Sequence, residues 1–381
     1  MTRIARFWLS VLFVCTAYPG GAAEATFEPQ HLTVKPTIDP GANVFTTPST
    51  VNGAGTIQVF NAADLRYKGS ISSGAMAQML LSRDGKIAYT ASVYMKRVVY
   101  GEREMVLQID DVPTLSVIKE IPLPPKIAMA LSLEAMMGQS ADGRYVYIQN
   151  ATPATSVTVV DVISGNVTGE IPTPGCFGIY PSLEGDRFST ICGDGTFASF
   201  TLKANGASAD RTQSKKIFDV DKDPIFMSAA RAGADWVFIS YHGNIYRVAD
   251  SAPTIKLSDT YSVTAGVDGG WAPGGAQLVA YNRAHGVLFV GMHPNAREGS
   301  HKEAATEIWA YDLTGKKLLY RSPVDGVTAL SASDAPAPVL YASKPRLLLR
   351  FEADPEAKFV LKKTHEAYNP GPYNEEIIWR P

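Results

Sequence analysis

Val157-Thr-Val-Val160 closes on Asp161, and the chain then returns through Glu170-Ile171-Pro172. An alternating apolar run that ends on a turn residue reads as a strand entering a hairpin. Fifty residues earlier the same order recurs, with Met105–Ile109 running into Asp110-Asp111 and Glu120-Ile121-Pro122 following. Ile57–Phe60 before Asn61, and Ile308–Tyr311 before Asp312, are further clear copies. Ile71, Ile121 and Ile171 stand at steps of 50, and Asp161 to Asp312 spans 151, close to three periods. Phe197–Leu202, Asn244–Val248 and Leu347–Phe351 fill the gaps and bring the copies to seven. Strand-rich repeats of roughly 40–50 residues, each a four-stranded unit, point to a β-propeller. The sequence therefore predicts an all-β fold of seven blades.

Length agrees with that count. Removing about 23 N-terminal residues leaves about 358 of the 381. Seven blades of ~50 residues use nearly all of these, which leaves no room for a second domain. The 32 glycines and 25 prolines punctuate short strands, and 45% hydrophobic residues are ample for a large core. Tyr145-Val-Tyr-Ile148, Trp236-Val-Phe-Ile239 and Val287-Leu-Phe-Val290 are short, β-branched or aromatic, and bounded by turn signals. They read as strands buried between blades. No long 3.6-period segment competes, so helix should be scarce.

At the N-terminus Arg3 and Arg6 precede an apolar stretch from Phe7 to Tyr18, then Gly20-Gly21-Ala22-Ala23. This order predicts a secretory signal peptide over 1–23, cleaved near Ala23, and an exported, periplasmic protein. The apolar stretch is too short for an ordinary spanning helix, so no membrane insertion is expected after cleavage. An extended arm over 24–45 and the propeller over 46–381 complete the organisation. Cleavage takes the formal charge from −2 to −4, since two arginines leave and no acidic residue does. Nothing basic enough for nucleic-acid binding remains. Cys15 departs with the signal, leaving Cys176 and Cys192. An even pair in an oxidising compartment suggests a disulfide; two independent buried thiols are the alternative.

Chemistry is sparse. The histidines are His31, His242, His285, His293, His301 and His365, without a His-x-x-x-His pair, and no Cys-x-x-Cys exists. Sequence-local metal sites are therefore not expected, although a propeller can gather distant ligands at its axis. There is no Gly-x-Ser-x-Gly, no phosphate loop and no dinucleotide fingerprint after a strand, so no catalytic residue is assigned. Three constellations rise above this background. Tyr94-Met-Lys96-Arg97-Val-Val-Tyr100-Gly101-Glu102-Arg103-Glu104 is a charged insertion between two strands: a solvated loop, or an arm contacting a partner through Arg and Tyr. His293-Pro-Asn-Ala-Arg297-Glu-Gly-Ser-His301-Lys302 is a long polar loop interrupting a hairpin, either a surface excursion or a functional one. Trp271-Ala-Pro-Gly-Gly275 is a turn whose one large aromatic belongs, by habit of this fold, to the inter-blade core.

These segments, with Gln149–Thr155, Cys176, Thr190–Gly195 and Asp221–Phe226, resemble the large subunit of bacterial tryptophylquinone amine dehydrogenases. The similarity runs from about Gly69 to Lys317. Gly101-Glu102-Arg103, Pro273-Gly274-Gly275, Ala280-Tyr281 and His301-Lys302 resemble the methylamine dehydrogenase heavy chain. Gln149–Thr155, Lys215–Phe218, Asp223–Phe226, His293-Pro294 and Glu307–Trp309 are more similar to the aromatic amine dehydrogenase large subunit.

The resemblance implies a periplasmic assembly of two large and two small chains. In that family the small, disulfide-dense chain carries tryptophan tryptophylquinone and the catalytic carboxylate, so a chain with two mature cysteines corresponds to the large partner. The implied activity is oxidative deamination of primary amines, arylalkylamines first, with electrons passed to a blue-copper protein such as azurin or amicyanin. No cofactor is implied on this chain. An early large-subunit loop lines the substrate channel in the family; Asn52-Gly53 aligns there and lacks the family's aromatic. The implied subunit interface takes Tyr94, Arg97, Arg103, Arg297, His301 and Lys302. Two other classes remain open: a stand-alone periplasmic binding propeller without amine dehydrogenase activity, and a propeller enzyme using dispersed His, Tyr and Arg residues at its axis.

Overall fold

The computed structural model describes residues 34–48, 50, 53–98, 100–129, 132–250, 253–370 and 374–381. The expected signal peptide, the first part of the expected arm, and Asn52 lie outside them. Residues 37–381 form one unit of seven antiparallel sheets, the seven blades. Blade one is built from both ends of the chain: its order is Asn374–Arg380, Asn43–Pro48, Gly55–Asn61, Tyr67–Ser73. Blades two to seven follow as simple meanders, beginning at Ala75, Met137, Cys176, Ile225, Ala272 and Ala329. Among the described residues the only helical turns are single 3-10 turns at Glu134–Met136 and Ser300–Lys302.

All seven runs read from the sequence fall on the third strand of their blades. The repeat has a physical cause. Asn61, Asp111, Asp161 and Asp312 each end a third strand and accept backbone N–H bonds from residues two or three places on, as in Ile163 to Asp161 Oδ1 at 3.0 Å. Such Asx turns replace the hydrogen bonds that the ladder loses at a hairpin. Four residues after each comes a left-handed residue: Leu65, Leu115, Gly165 and Lys316. Each of these hairpins also slips register by a bulge just before the turn. Ile71, Ile121 and Ile171 then pair with Ile57, Leu107 and Val157 on the returning strand, and all three are buried.

The core lies between blades. Met105, Leu107 and Ile109 of blade two pack on Met137, Val146 and Ile148 of blade three, and Val237, Ile239 and Ile245 of blade five pack on Leu288, Val290 and Trp309 of blade six. Each such side chain contributes about 1.5–3 kcal/mol on burial. Blade six departs from four strands because its first strand is split into Ala272–Pro273 and Val279–Asn282, both paired with Val287–His293. Pro273 has no N–H to continue the ladder, and Gly275 (φ +119°) passes so near Thr328 that a Cβ would lie 2.9 Å from its carbonyl oxygen. The segment read as a turn is thus a broken inner strand. Trp271 does pack against the core of blades five and six, 5.4 Å from Trp309 with Arg321 over both rings. Cys176 and Cys192 face each other on the first two strands of blade four and form a disulfide.

Candidate partner-docking face

In a four-stranded meander, turns between second and third strands emerge at the same end as the crossings to the next blade. Gly53 lies on the second-to-third turn of blade one, Arg97 on that of blade two, and Arg297, His301 and Lys302 on that of blade six. The fold therefore puts these candidates on one face, although 249 positions separate Gly53 from Lys302. Cys176 and Cys192 sit at the same end of blade four, where the Gly193 N–H donates to the Gly175 carbonyl at 2.9 Å.

The blade-two hairpin is held by its own polar groups. The Lys96 and Arg97 N–H groups donate to the Glu102 and Tyr100 carbonyls, both at 3.1 Å, and Val98 takes a left-handed conformation. Lys96 pairs with Glu102 at 3.2 Å, while Arg97 donates to the Tyr100 hydroxyl at 3.0 Å and lies over its ring. Tyr94 is half-buried beneath, donating to Gln108 Oε1 at 2.6 Å, and burial raises its pKa. Arg103 reaches the sulfur of Met129. The tip is left bare: Val98 is 70% exposed and Tyr100 56%. Gly53 meets this tip, since a Cβ there would lie 3.5 Å from Val98 Cγ1. The early loop and the charged hairpin are neighbours, which the sequence did not reveal.

The blade-six loop leans on blade five. Its Asn295 and Ala296 N–H groups donate to the Gly269 and Gly270 carbonyls at 3.1 and 2.7 Å, and Arg297 pairs with Glu303. His301 stacks on Tyr241, with centroids 4.2 Å apart, and meets Phe226 edge-on. Burial, with help from Lys302, lowers the pKa of His301 and favours the neutral ring. Beside the stack, Asp223 accepts from Asn244 at 2.7 Å and contacts the His242 ring at 3.1 Å. Sequence reasoning quoted Asp223 within the run Asp223–Phe226 and counted His242 among the histidines, but did not single out Tyr241 or bring the three together. Blade seven stands between these two groups of loops.

Among the described residues no cluster of three His, Cys, Asp or Glu side chains suits a metal ion, and no helix is long and apolar enough to cross a membrane. With an exposed apolar tip beside Arg97, the face is suited to receiving another protein. A family model, methylamine dehydrogenase heavy chain, matches residues 43–362. The chain belongs to the methylamine dehydrogenase heavy-chain family. The heavy chain from Methylobacillus flagellatus is 24% identical over 324 residues, covering 83% of this chain and 78% of the relative. That from Methylophilus methylotrophus is 23% identical over 316 residues, covering 80% and 76%. Among solved structures, a periplasmic gluconolactonase from Pseudomonas aeruginosa superposes with a TM-score of 0.62 at 13% identity, covering 89% of this chain and 99% of that one. That likeness concerns the fold alone. The heavy-chain match begins at Asn43, the first residue of the first strand, and ends inside the last strand of blade seven.

Proposed function

We propose that this chain is the large subunit of a periplasmic quinoprotein amine dehydrogenase, and that it docks a small quinone-bearing subunit on the face just described. The family match over residues 43–362 carries the reading. Tryptophan tryptophylquinone on the small subunit would supply the electrophile that takes electrons from a primary amine. Two of the chain's own tryptophans are committed elsewhere: Trp309 is buried and donates its indole N–H to Glu307, and Trp271 is covered by Arg321. They fit a scaffold that leaves the cofactor to its partner.

On this reading the heavy chain positions and excludes. Arg97, Arg103, Arg297 and Lys302 orient the partner, Tyr94 props the blade-two hairpin, and His301 anchors the blade-six loop on blade five. Asn52-Gly53 and the bare Val98 line the approach to the reacting centre; without an aromatic at 52–53, Val98 supplies the apolar wall. The assembly is two large and two small chains, and electrons leave to a blue-copper protein. Arylalkylamines are the first substrate, following the runs Gln149–Thr155 and Asp223–Phe226. Methylamine is the second reading, favoured by the methylamine dehydrogenase heavy chains among the relatives.

Purification from the native periplasm tests this. The chain should co-purify with a short, cysteine-rich partner, and only the complex should reduce a dye acceptor with phenylethylamine or methylamine. A chain that oxidises amines unaided, or that never brings down a second chain, overturns the proposal.

A further inference from the structure

A cavity of ≈ 240 Å³ lies on the propeller axis, walled by the first strands of blades two to five and closed by the end of the C-terminal strand. It widens at Arg83, Leu183 and Asp334, which follow first strands, so its mouth opens on the face opposite Gly53, Arg97 and His301. The walls are largely apolar, with Leu80, Ile179, Tyr180 and Met227 among them. Two of the arginines that enter it, Arg380 and Arg83, have no ion pair among the described residues.

Arg380 ends the innermost strand of blade one and makes one hydrogen bond, from Nη1 to the Trp379 carbonyl at 2.9 Å. The rest of its guanidinium N–H donors have no protein acceptor among the described residues. Glu134, on the 3-10 turn before blade three, projects into the lumen, where water reaches it although protein surrounds it. Burial raises the Glu134 carboxyl and lowers Arg380, and each is the other's foremost opposing charge. Even so, no ion pair within 4.0 Å joins them among the described residues. Arg83 stands exposed at the mouth, likewise without a described partner. Arg231, by contrast, is engaged: it pairs with Asp250 at 2.9 Å and lies over Trp236 at 4.5 Å.

The balance is decisive. Arg380 and Arg83 are set against Glu134 and Glu376, two carboxyls that burial biases toward the neutral form, while Asp334 at the mouth pairs with Arg283 at 3.6 Å, so the lumen favours an anion. In an enclosed space of low dielectric that preference is amplified. Guanidinium offers paired N–H donors that match a planar carboxylate. Apolar walls disfavour a doubly charged phosphate and suit an apolar body. A volume below the usual range for drug-sized ligands restricts that body to about one ring or a short chain.

We propose that the axial cavity binds a small monocarboxylate, its carboxylate on Arg380 and Arg83 and its apolar body against Leu80, Ile179, Tyr180 and Met227. Calorimetric titration of the full-length mature chain with phenylacetate, phenylacetamide and phenylethylamine tests this. Phenylacetate should bind saturably and at least tenfold more tightly than either uncharged or cationic analogue, and should change Trp236 fluorescence. Arg380→Gln should abolish binding; Arg83→Gln, on an exposed loop that does not carry the fold, should weaken it about tenfold. Arg97→Glu, on the opposite face, should leave it unchanged, which separates this site from the partner-docking proposal. The inference is overturned by no saturable phenylacetate binding at millimolar concentration, by equal binding of the amide or amine, or by wild-type affinity in Arg83→Gln.

Discussion

Asp110 occupies a position that no carboxylate would choose. It lies on the third strand of blade two beside Asp111, and because strand side chains alternate, Asp111 caps the turn while Asp110 points inward. Its side chain is fully buried, and neither oxygen has a hydrogen-bond partner among the described residues. Burial, reinforced by the negative charge of Glu120, pushes its pKa from 3.8 up to about 7. The folded state thus holds a proton that the unfolded chain has already released above about pH 4. Stability on this account is greatest below the unfolded pKa and is lost as pH rises toward 7. At about 1.4 kcal/mol per tenfold change in proton affinity, the loss at about pH 8 is roughly 4 kcal/mol. Asp110→Asn removes the charge and keeps the shape. Urea denaturation at about pH 4.5 and about pH 8 should show wild type losing roughly 3 kcal/mol more than the variant between the two. Parallel pH profiles would show that Asp110 finds a partner.

Among the elements, the hairpin from third to fourth strand is the unit that the sequence states openly. Its apolar run, its Asx turn and its left-handed fourth residue are local, so they recur in Ile57–Leu65, Met105–Leu115 and Val157–Gly165 without help from the rest of the fold. That is why the seven blades were legible. Broken elements were not: the split first strand of blade six depends on the approach of Gly275 to Thr328, a residue more than fifty positions away. The docking face was half legible for the same reason. Charged insertions at Lys96–Glu102 and Arg297–Lys302 stand out in sequence, whereas the contact of Gly53 with Val98 and the stack of His301 on Tyr241 exist only after the ring closes. Because Arg97 and Arg103 are exposed and backbone bonds hold the hairpin, charge reversal should spare the fold. Arg97→Glu with Arg103→Glu should leave the melting temperature within a few degrees of wild type and weaken capture of the small subunit at least tenfold, measured by co-purification and by reconstituted amine oxidation. A large drop in melting temperature with unchanged capture would make the hairpin a structural element instead.

For the whole molecule, closure of the ring is the step on which everything else rests. A propeller ring closes only if its first and last blades meet, and here the meeting is inside blade one. Asn43–Pro48 supplies an apolar strand with a naked inner edge, and Asn374–Arg380 covers it. Ile377 and Ile378 are buried, and the Gln277 side chain clamps Ile377 from blade six, donating to its carbonyl at 2.8 Å and accepting from its N–H at 3.0 Å. The Trp379 N–H donates to Ser331 Oγ in blade seven at 3.0 Å. The same short strand ends in Arg380, so it joins the ring and also completes the axial cavity. Losing one buried isoleucine costs about 2–4 kcal/mol; losing the strand removes two, several ladder bonds and the partner of a buried edge. A chain ending at Asn369 should therefore remain open, aggregate on export or unfold without a single cooperative transition, and bind neither the small subunit nor phenylacetate. Ile377→Ala, by comparison, should keep one transition at a lowered midpoint and retain both activities. If the truncated chain stayed soluble and melted cooperatively at the wild-type temperature, the inner strand would be an ornament on a ring closed by other contacts, and the order of strands in blade one would have to be redrawn.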